Sequence, residues 1–164
     1  NPGSESFCSV EKIREITEWV SGPEFVLQFQ GYQNEDDIVQ LIGSGLGQAL
    51  HFGAFATYET DFKVPVFKEW IFENLTTDDY DKFDFPIIRS DKSFEEFTKP
   101  ELANLQNLLG RRFGYIDFKW RTSELLSMLE VLPPCGLILR GGSEERLGVK
   151  SFDDLDAIFK ILED

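Results

Sequence analysis

Six short apolar runs recur along this sequence, and helical patterns separate most of them. Runs of this length that are rich in β-branched and aromatic residues are typical of buried strands, whereas apolar residues three and four positions apart indicate helices. Strands that alternate with helices form parallel sheets with right-handed crossovers, so we expect an α/β fold, either doubly wound and open or closed as a barrel. The six predicted strands are 25–29, 48–52, 64–71, 85–88, 113–118 and 137–140.

Capping residues and apolar spacing place the helices between these strands. Ser9 is the expected N-cap of the first helix, and Thr98 with Glu101 forms a capping box before a later one. Pro86 counts against the fourth strand, because proline cannot donate a hydrogen bond to a neighbouring strand. The predicted helices cover 10–20, 35–42, 98–112, 122–131 and a last segment that ends near Leu162, with a loop or helical turn at 76–81.

The segment from Cys135 to Phe152 carries the clearest candidate for a ligand site. An apolar run ends at Gly141 and Gly142, passes through a charged loop and enters a helix with Ser151 as its expected N-cap. Glycines between a strand and a helix allow backbone N–H groups to face an anion. The pattern leaves two alternatives open: a turn that binds phosphate, and a glycine-rich turn that binds nothing.

Three segments resemble phosphoribosylanthranilate isomerases, which are (β/α)8 barrels. The spacing Gly142-x-Glu144-x-x-x-Gly148-Val149-Lys150 is similar to their closing βα segment. Residues 2–11 are similar to the loop that leads from their second strand into their second helix. Leu50-His51, with Phe52 before Gly53, is similar to the Leu-His-Gly that ends their fourth strand.

The resemblance implies a parallel (β/α) barrel of the TIM type. Residues 1–164 would form a single barrel domain that is incomplete at its N-terminus. The six visible strands would be strands three to eight, and the first β-α-β would be missing from this chain. A missing N-terminal segment or a second chain would then close the barrel, because unpaired sheet edges expose backbone groups. The resemblance also implies a site for a small phosphorylated ligand at Arg140, Gly141, Gly142 and Ser143.

The implied reaction is an Amadori rearrangement of a phosphoribosyl amine in tryptophan biosynthesis, which needs a general acid and a general base. The base is a cysteine that leaves the first strand of the family, and Cys8 and Cys135 do not correspond to it. The position of the acid falls on Arg89. Ser6 stands where the family has an arginine that pairs with the anthranilate carboxylate, and residues 115–118 stand where it has a second phosphate-binding Gly-Gly.

Three residues remain as candidate catalytic groups, each with a simpler structural alternative. Asp91 lies two residues after the acid position, or it is a solvated loop carboxylate. Asp117 lies at the end of a strand, where barrel enzymes carry catalytic groups. His51, the only histidine, is either a general acid–base group or a structural side chain. The alternative for Asp117 is neutralisation by Arg111, Arg112 or Lys119.

Composition excludes several other classes of function. The net charge of −14, from 16 basic and 30 acidic residues, argues against binding to nucleic acid. The two cysteines have neither metal-site nor disulfide spacing, so we expect no metal, no cofactor and a cytoplasmic protein with reduced thiols. No run is long enough to span a membrane.

Two functions stay open at this point, with a weaker third. The first is an isomerase of the kind that the resemblance implies. The second is a non-catalytic phosphate-binding or protein-interaction barrel, since the catalytic positions depart from the family. The third is an acidic protein that masks a basic partner.

Overall fold

The fold is built on one six-stranded sheet whose strands follow the order of the chain. The structure, a computed structural model, describes residues 8–20, 22–31, 34–119, 121–139, 144–146, 149–150 and 153–163. The sheet comprises β1 (Val26–Phe29), β2 (Ala49–Phe52), β3 (Val66–Ile71), β4 (Phe85–Arg89), β5 (Tyr115–Asp117) and β6 (Gly136–Leu137). Neighbouring strands pair in parallel, so the predicted parallel α/β sheet is confirmed.

The strand order distinguishes between the two α/β topologies that the sequence pattern left open. A doubly wound sheet reverses its strand order at a switch point, whereas a TIM-type barrel adds each strand beside the previous one. The order β1-β2-β3-β4-β5-β6 has no reversal. Within the described residues β1 pairs only with β2 and β6 only with β5, so the sheet is not closed.

Helices occupy the connections between most strands, and side chains cap several of them. They are α1 (Val10–Trp19), α2 (Glu35–Gly43), α3 (Thr77–Asp81), α4 (Lys99–Arg111), α5 (Thr122–Val131) and α6 (Asp153–Glu163). Ser9 caps α1, and Thr98 with Glu101 forms the predicted capping box of α4. Such caps satisfy backbone N–H groups that have no partner within the helix. This is why the helix starts were predictable to within a residue or two.

Contacts divide the chain into two compact units, and the first comprises residues 1–70 and 83–86. Its core contains Leu27, Leu50 and Phe52, which cluster with Ile38 of α2. Side chains alternate between the two faces of a strand, and these three residues lie on one face. Helix α2 therefore covers that face of β1 and β2. The Phe52 ring extends the core by stacking on Tyr58, with ring centroids 4.3 Å apart.

The second unit comprises residues 71–82 and 87–164 and has its own core. Its buried apolar side chains include Ile87, Ile88, Leu105, Leu108, Leu109, Ile116, Leu125 and Met128. Tyr80 is fully buried, and its hydroxyl donates a hydrogen bond of 3.0 Å to the carbonyl of Arg112. Burial raises the pKa of Tyr80 to about 12. The expectation of a single domain stays a prediction.

A short 3₁₀ helix, Phe94–Glu96, shapes the loop after β4 and was not predicted. Ser93 and Glu96 form a capping box around it. The buried Glu124 of α5 accepts a hydrogen bond of 3.0 Å from the backbone N–H of Phe94. Its second oxygen, Oε1, makes no hydrogen bond with the described residues, but the Arg121 guanidinium lies 3.2 Å away and offsets its charge.

Gly136 at the start of β6 allows a close approach of the neighbouring strand. A Cβ atom at this position would overlap the ring of Tyr115, which is its register partner on β5. Any other residue would displace that ring, so glycine is required here by packing and not by backbone conformation.

Two further strands correct the prediction for the segment that precedes α6. β7 (Glu144–Arg146) and β8 (Val149–Lys150) pair antiparallel, where the sequence predicted a charged loop. Strands of two or three residues are too short to leave a period-two pattern, which explains the miss. No helix among the described residues is long and apolar enough to cross a membrane.

Candidate functional site

Strands β2 and β3 bring His51 and Glu69 together within the first unit. Nε2 of His51 lies 3.0 Å from Oε1 of Glu69. The Glu69 side chain is 1% exposed and the His51 side chain 18%, so solvent reaches only the imidazole. Nε2 makes no hydrogen bond of acceptable angle with the described residues, so the two groups are close but misaligned.

The strand register shows which face of the sheet carries this pair. His51 is the register partner of Gln28 on β1 and of Phe67 on β3. Successive side chains point to opposite faces, so His51 and Glu69 lie on the face opposite to Leu50. Leu50 packs in the cluster that includes Ile38 of α2. The pair therefore projects from the face that α2 does not cover.

Besides Gln28, a second glutamine, Gln30, lies close to the face of the sheet that carries His51, because Gly53 leaves room for it. A Cβ atom at Gly53 would lie 2.6 Å from Oε1 of Gln30 and 3.2 Å from its Cα. The backbone N–H of Gly53 donates a hydrogen bond of 2.8 Å to the carbonyl of Phe29, which keeps the two chain segments together beyond β1 and β2. Glycine at this position therefore gives the side chain of Gln30 the space beside the ends of the strands.

Lys68 lies next to Glu69 in sequence but on the opposite face of β3. Its ammonium group donates hydrogen bonds to the carbonyls of Gly53 (2.8 Å), Ala54 (3.1 Å) and Glu69 (2.9 Å), and it lies 4.8 Å from the centre of the Trp70 ring. All three ammonium donors are satisfied. Burial nevertheless lowers the pKa of Lys68 to about 8, against the opposing effect of the Glu69 charge. Lys68 therefore fixes the loop that follows β2.

In the second unit, the ends of β4 and β5 place Arg89 directly opposite Asp117. Neighbouring strands lie about 4.8 Å apart, and register partners project from the same face. Asp117 is 5% exposed. The sequence predicted Asp117 as a candidate catalytic group, and the structure places a guanidinium-bearing residue beside it.

Two of the neutralising partners that the sequence suggested for Asp117, Arg111 and Arg112, contact Asp81. Arg111 binds the carboxylate of Asp81 through both Nε and Nη2, and Arg112 donates a hydrogen bond of 3.0 Å to the carbonyl of Asp81. The Arg111 guanidinium holds the pKa of Asp81 below its usual value. Residues 81, 111 and 112 thus form a cluster, and Arg89 is a further cation beside Asp117.

Asp91 is exposed in the loop after β4, as its solvated alternative predicted. The preceding Ser90 is buried and ties this loop to its surroundings. Its backbone N–H donates a hydrogen bond of 3.1 Å to the carbonyl of Asp117, and its hydroxyl oxygen lies 3.3 Å from both Glu73 Oε1 and the Lys92 backbone nitrogen. A catalytic role for Asp91 stays a prediction.

The predicted phosphate-binding residues Arg140, Gly141, Gly142 and Ser143 lie outside the described residues. The elements that flank them are β6 on one side and the ribbon of β7 and β8, followed by α6, on the other. The segment therefore begins after the C-terminal end of a parallel strand, where barrel proteins place ligand-binding loops. Phosphate binding at this segment stays a prediction.

A cavity of about 360 Å³ lies at the other end of the strands in the first unit. Residues that precede β1 and β2, including Phe25 and Gln48, line it together with Arg14 and Glu18 of α1. Gln48 Oε1 already accepts a hydrogen bond of 2.7 Å from the Phe25 backbone N–H. This end of a barrel serves stability in most such folds, so we do not assign a ligand to the cavity.

Sequence reasoning identified His51 but missed the residues that define its environment. Lys68 and Glu69 are adjacent charges within an otherwise apolar strand. That pattern is a usable signal, because a central strand of a parallel sheet buries both of its faces. Among the described residues, no group of three or more His, Cys, Asp or Glu side chains is arranged to hold a metal ion.

No protein-family profile and no curated protein matches the sequence. Solved structures do match the fold, with this chain 98–99% covered. They are the phosphoribosylanthranilate isomerases of Thermus thermophilus (22% identity, 84% of that chain, TM-score 0.67) and Pyrococcus furiosus (12%, 84%, 0.61), and monomers of the dimeric isomerase of Thermotoga maritima (16%, 83%, 0.66). The resemblance stated from the sequence is therefore confirmed for the fold: this chain has the fold of phosphoribosylanthranilate isomerases.

Proposed function

We propose that this protein binds a small phosphorylated ligand on an isomerase-type barrel and does not isomerise phosphoribosylanthranilate at a useful rate. The observation that carries the proposal is the position of Arg89 opposite Asp117 at the ends of β4 and β5. The family resemblance implies a general acid at the position of Arg89. It implies a phosphate-binding glycine pair at the end of β5, where this chain has Asp117.

Arg89 cannot replace the expected acid, because a guanidinium does not give up its proton in proteins. Asp91, the nearest carboxylate in sequence, is exposed to solvent in the loop. Each missing proton-transfer group costs about 10²–10⁴ in rate. Loss of the acid at Arg89 alone therefore lowers the rate of this particular reaction by that factor.

Phosphate binding is proposed for Arg140, Gly141, Gly142 and Ser143. Backbone N–H groups of a glycine-rich turn favour an anion, and one arginine strengthens the contact through charge-assisted hydrogen bonds. The acidic residues Glu144 and Glu145 follow directly and weaken it. We therefore expect dissociation constants on the order of 1 mM.

The same proposal places the protein in the cytoplasm. Cys8 and Cys135 are both free thiols, and burial raises the pKa of the Cys135 thiol to about 11. A buried thiol of this kind packs as a small apolar group. Neither cysteine therefore needs an oxidising compartment.

Two measurements on the purified protein test the proposal. A steady-state assay with phosphoribosylanthranilate should give no turnover above background. A titration with inorganic phosphate should shift the backbone amide resonances of Gly141 and Gly142, and Ser143→Asp should abolish those shifts. Ser127→Asp, on the exposed side of α5, adds the same charge elsewhere and serves as control. Turnover that disappears in Asp91→Asn would overturn the non-catalytic part, and unshifted glycines would remove the phosphate site.

A further inference from the structure

We propose that His51 and Glu69 form a proton-transfer dyad that acts on a small open-chain hydroxycarbonyl compound. His51 is the catalytic residue, because its imidazole is the part that solvent and substrate reach. Glu69 is a positioning residue that acts through the imidazole. That the natural substrate carries a phosphate rests on the proposed function; the dyad itself does not.

The contact between the two side chains shows which of them a substrate can reach and which positions the other. Glu69, at 1% exposure, lies 3.0 Å from Nε2 of a histidine that is 18% exposed. The charge of a carboxylate 3.0 Å from one ring nitrogen favours the tautomer whose proton faces it. The other nitrogen, Nδ1, is then left as the base.

The surroundings of the dyad suit a polar, uncharged part of a ligand. Gln28 is exposed on the neighbouring strand in register with His51, and Gln30 lies against Gly53 at the same end. Amide side chains donate and accept hydrogen bonds, which matches hydroxyl and carbonyl groups. The C-terminal ends of parallel strands are also where barrel enzymes carry their chemistry.

The dyad offers one proton-transfer group, which suits open-chain compounds. A cyclic sugar derivative needs an acid to open its ring before a proton can be removed from carbon. An open-chain hydroxycarbonyl compound has no ring to open and needs only a base. The dyad supplies that base without a second catalytic group.

The proposed step is balanced without any oxidant or reductant. Nδ1 of His51 takes a proton from the carbon beside the carbonyl. The electron pair of that C–H bond becomes the carbon–carbon double bond of an enediolate, while the carbonyl π electrons move to oxygen. The imidazolium then returns a proton to carbon and the carbonyl forms again. In heavy water the returning particle is a deuteron, so the step leaves a label.

Deuterium exchange measured by proton NMR tests the dyad directly. The probes are dihydroxyacetone phosphate and dihydroxyacetone, each incubated with the full chain in heavy water. We expect the wild-type protein to exceed free imidazole at the same concentration by about 10²-fold or more. His51→Gln should lose this gain, and Glu69→Gln should lose about tenfold to hundredfold through misplacement of the ring. Glu69→Asp should restore part of it, and the exposed Glu18→Gln should change nothing.

A second arm needs no variant, because the chain has a single histidine. Carbethoxylation of the wild-type protein with diethyl pyrocarbonate should abolish the exchange, and hydroxylamine should restore it. This arm decides the matter if His51→Gln or Glu69→Gln does not fold.

The outcomes separate the dyad from the phosphate site. Wild-type exchange no faster than free imidazole, or exchange that survives both His51→Gln and carbethoxylation, would overturn the dyad. Equal gains on the two probes would support the dyad and count against the phosphate site. Absent exchange together with saturable phosphate shifts at Gly141 and Gly142 would do the reverse.

Discussion

Two carboxylates, one in each unit, lie beside a nitrogen-bearing side chain on a neighbouring strand, and the two pairs differ in the nature of that side chain. His51 faces Glu69 across β2 and β3, whereas Arg89 faces Asp117 across β4 and β5. An imidazole exchanges its proton near neutral pH, and a guanidinium does not. The comparison teaches that, of the two carboxylates, only Glu69 lies beside a side chain that can act as a base. The pair on β4 and β5 is therefore expected to be structural.

The largest effect should come from Arg89→Met in the structural pair. It leaves Asp117, at 5% exposure, without its neighbouring cation. Removal of one partner of a buried pair costs about 3 kcal/mol of unfolding free energy, whereas replacement of both by apolar groups costs far less. Urea unfolding of Arg89→Met, Asp117→Leu and the double variant gives the free energies of unfolding for a double-mutant cycle. Strictly additive losses would show that the two residues do not interact.

A smaller effect on unfolding free energy, which depends on pH, is expected for Lys68. Its ammonium group can titrate, but it donates to backbone carbonyls and not to a carboxylate. Its pKa, lowered by burial to about 8, lies below the value of about 10.4 in the unfolded chain. Between these values the unfolded state binds more protons, so the contribution of Lys68 to stability rises with pH. Relative to Lys68→Met, the wild-type protein should gain about 2 kcal/mol between pH 7.5 and pH 10.

The difference in unfolding free energy between the wild-type protein and Lys68→Met separates the effect of Lys68 from that of other titrating groups. Burial raises the pKa of Cys135 to about 11, which lowers stability above pH 9 in both proteins alike. Urea unfolding at matched pH values measures the difference. A difference that stays constant with pH would mean that the three carbonyls hold the ammonium protonated throughout.

Gly53→Ala should have a moderate effect that is confined to the dyad region. The added Cβ would lie 2.6 Å from Oε1 of Gln30, so the Gln30 side chain must move. It would also lie 3.2 Å from the Gln30 Cα, which belongs to the backbone and moves less easily. We expect a loss of about 1 kcal/mol, in the range of mild overpacking. Amide shifts should change around Gln30 and His51 and stay unchanged around Arg89. Gly43→Ala, which meets no atom within 4 Å, is the control.

The smallest effect is predicted for Asp91→Asn. An exposed loop carboxylate outside any network contributes within about 0.5 kcal/mol to stability. Thermal unfolding should therefore match that of the wild-type protein, and phosphate titration should be unchanged. A larger loss would show that Asp91 belongs to the charge arrangement at β4 and β5 after all.

The sequence predicted the strands and most helices because their signals are local. Capping residues such as Thr98 and the apolar spacing of α5 depend on neighbours within one or two turns. The 3₁₀ helix at Phe94–Glu96 has a local capping box, Ser93 with Glu96, which the prediction missed, and it also contacts Glu124, 30 residues further on. The ribbon of β7 and β8 is too short to show a period.

The candidate site was predictable only where one residue type was informative by itself. His51 was identified because it is the single histidine. Its partner was missed because the strand register that brings Glu69 to it is set by long-range pairing, which a single sequence does not reveal. Arg89 was noted as a departure from the family, but its place opposite Asp117 also depends on register.

The contact between Tyr115 and Gly136 has a consequence for the edge of the sheet. β6 is only two residues long, and within the described residues it pairs on one side alone. The Tyr115 ring occupies the space that a side chain at position 136 would fill. This is aromatic rescue of an edge glycine: the ring of one strand shields the bare backbone of the next and discourages unwanted pairing. The two positions are therefore coupled, and a bulky residue at 136 would be tolerated only if position 115 became small.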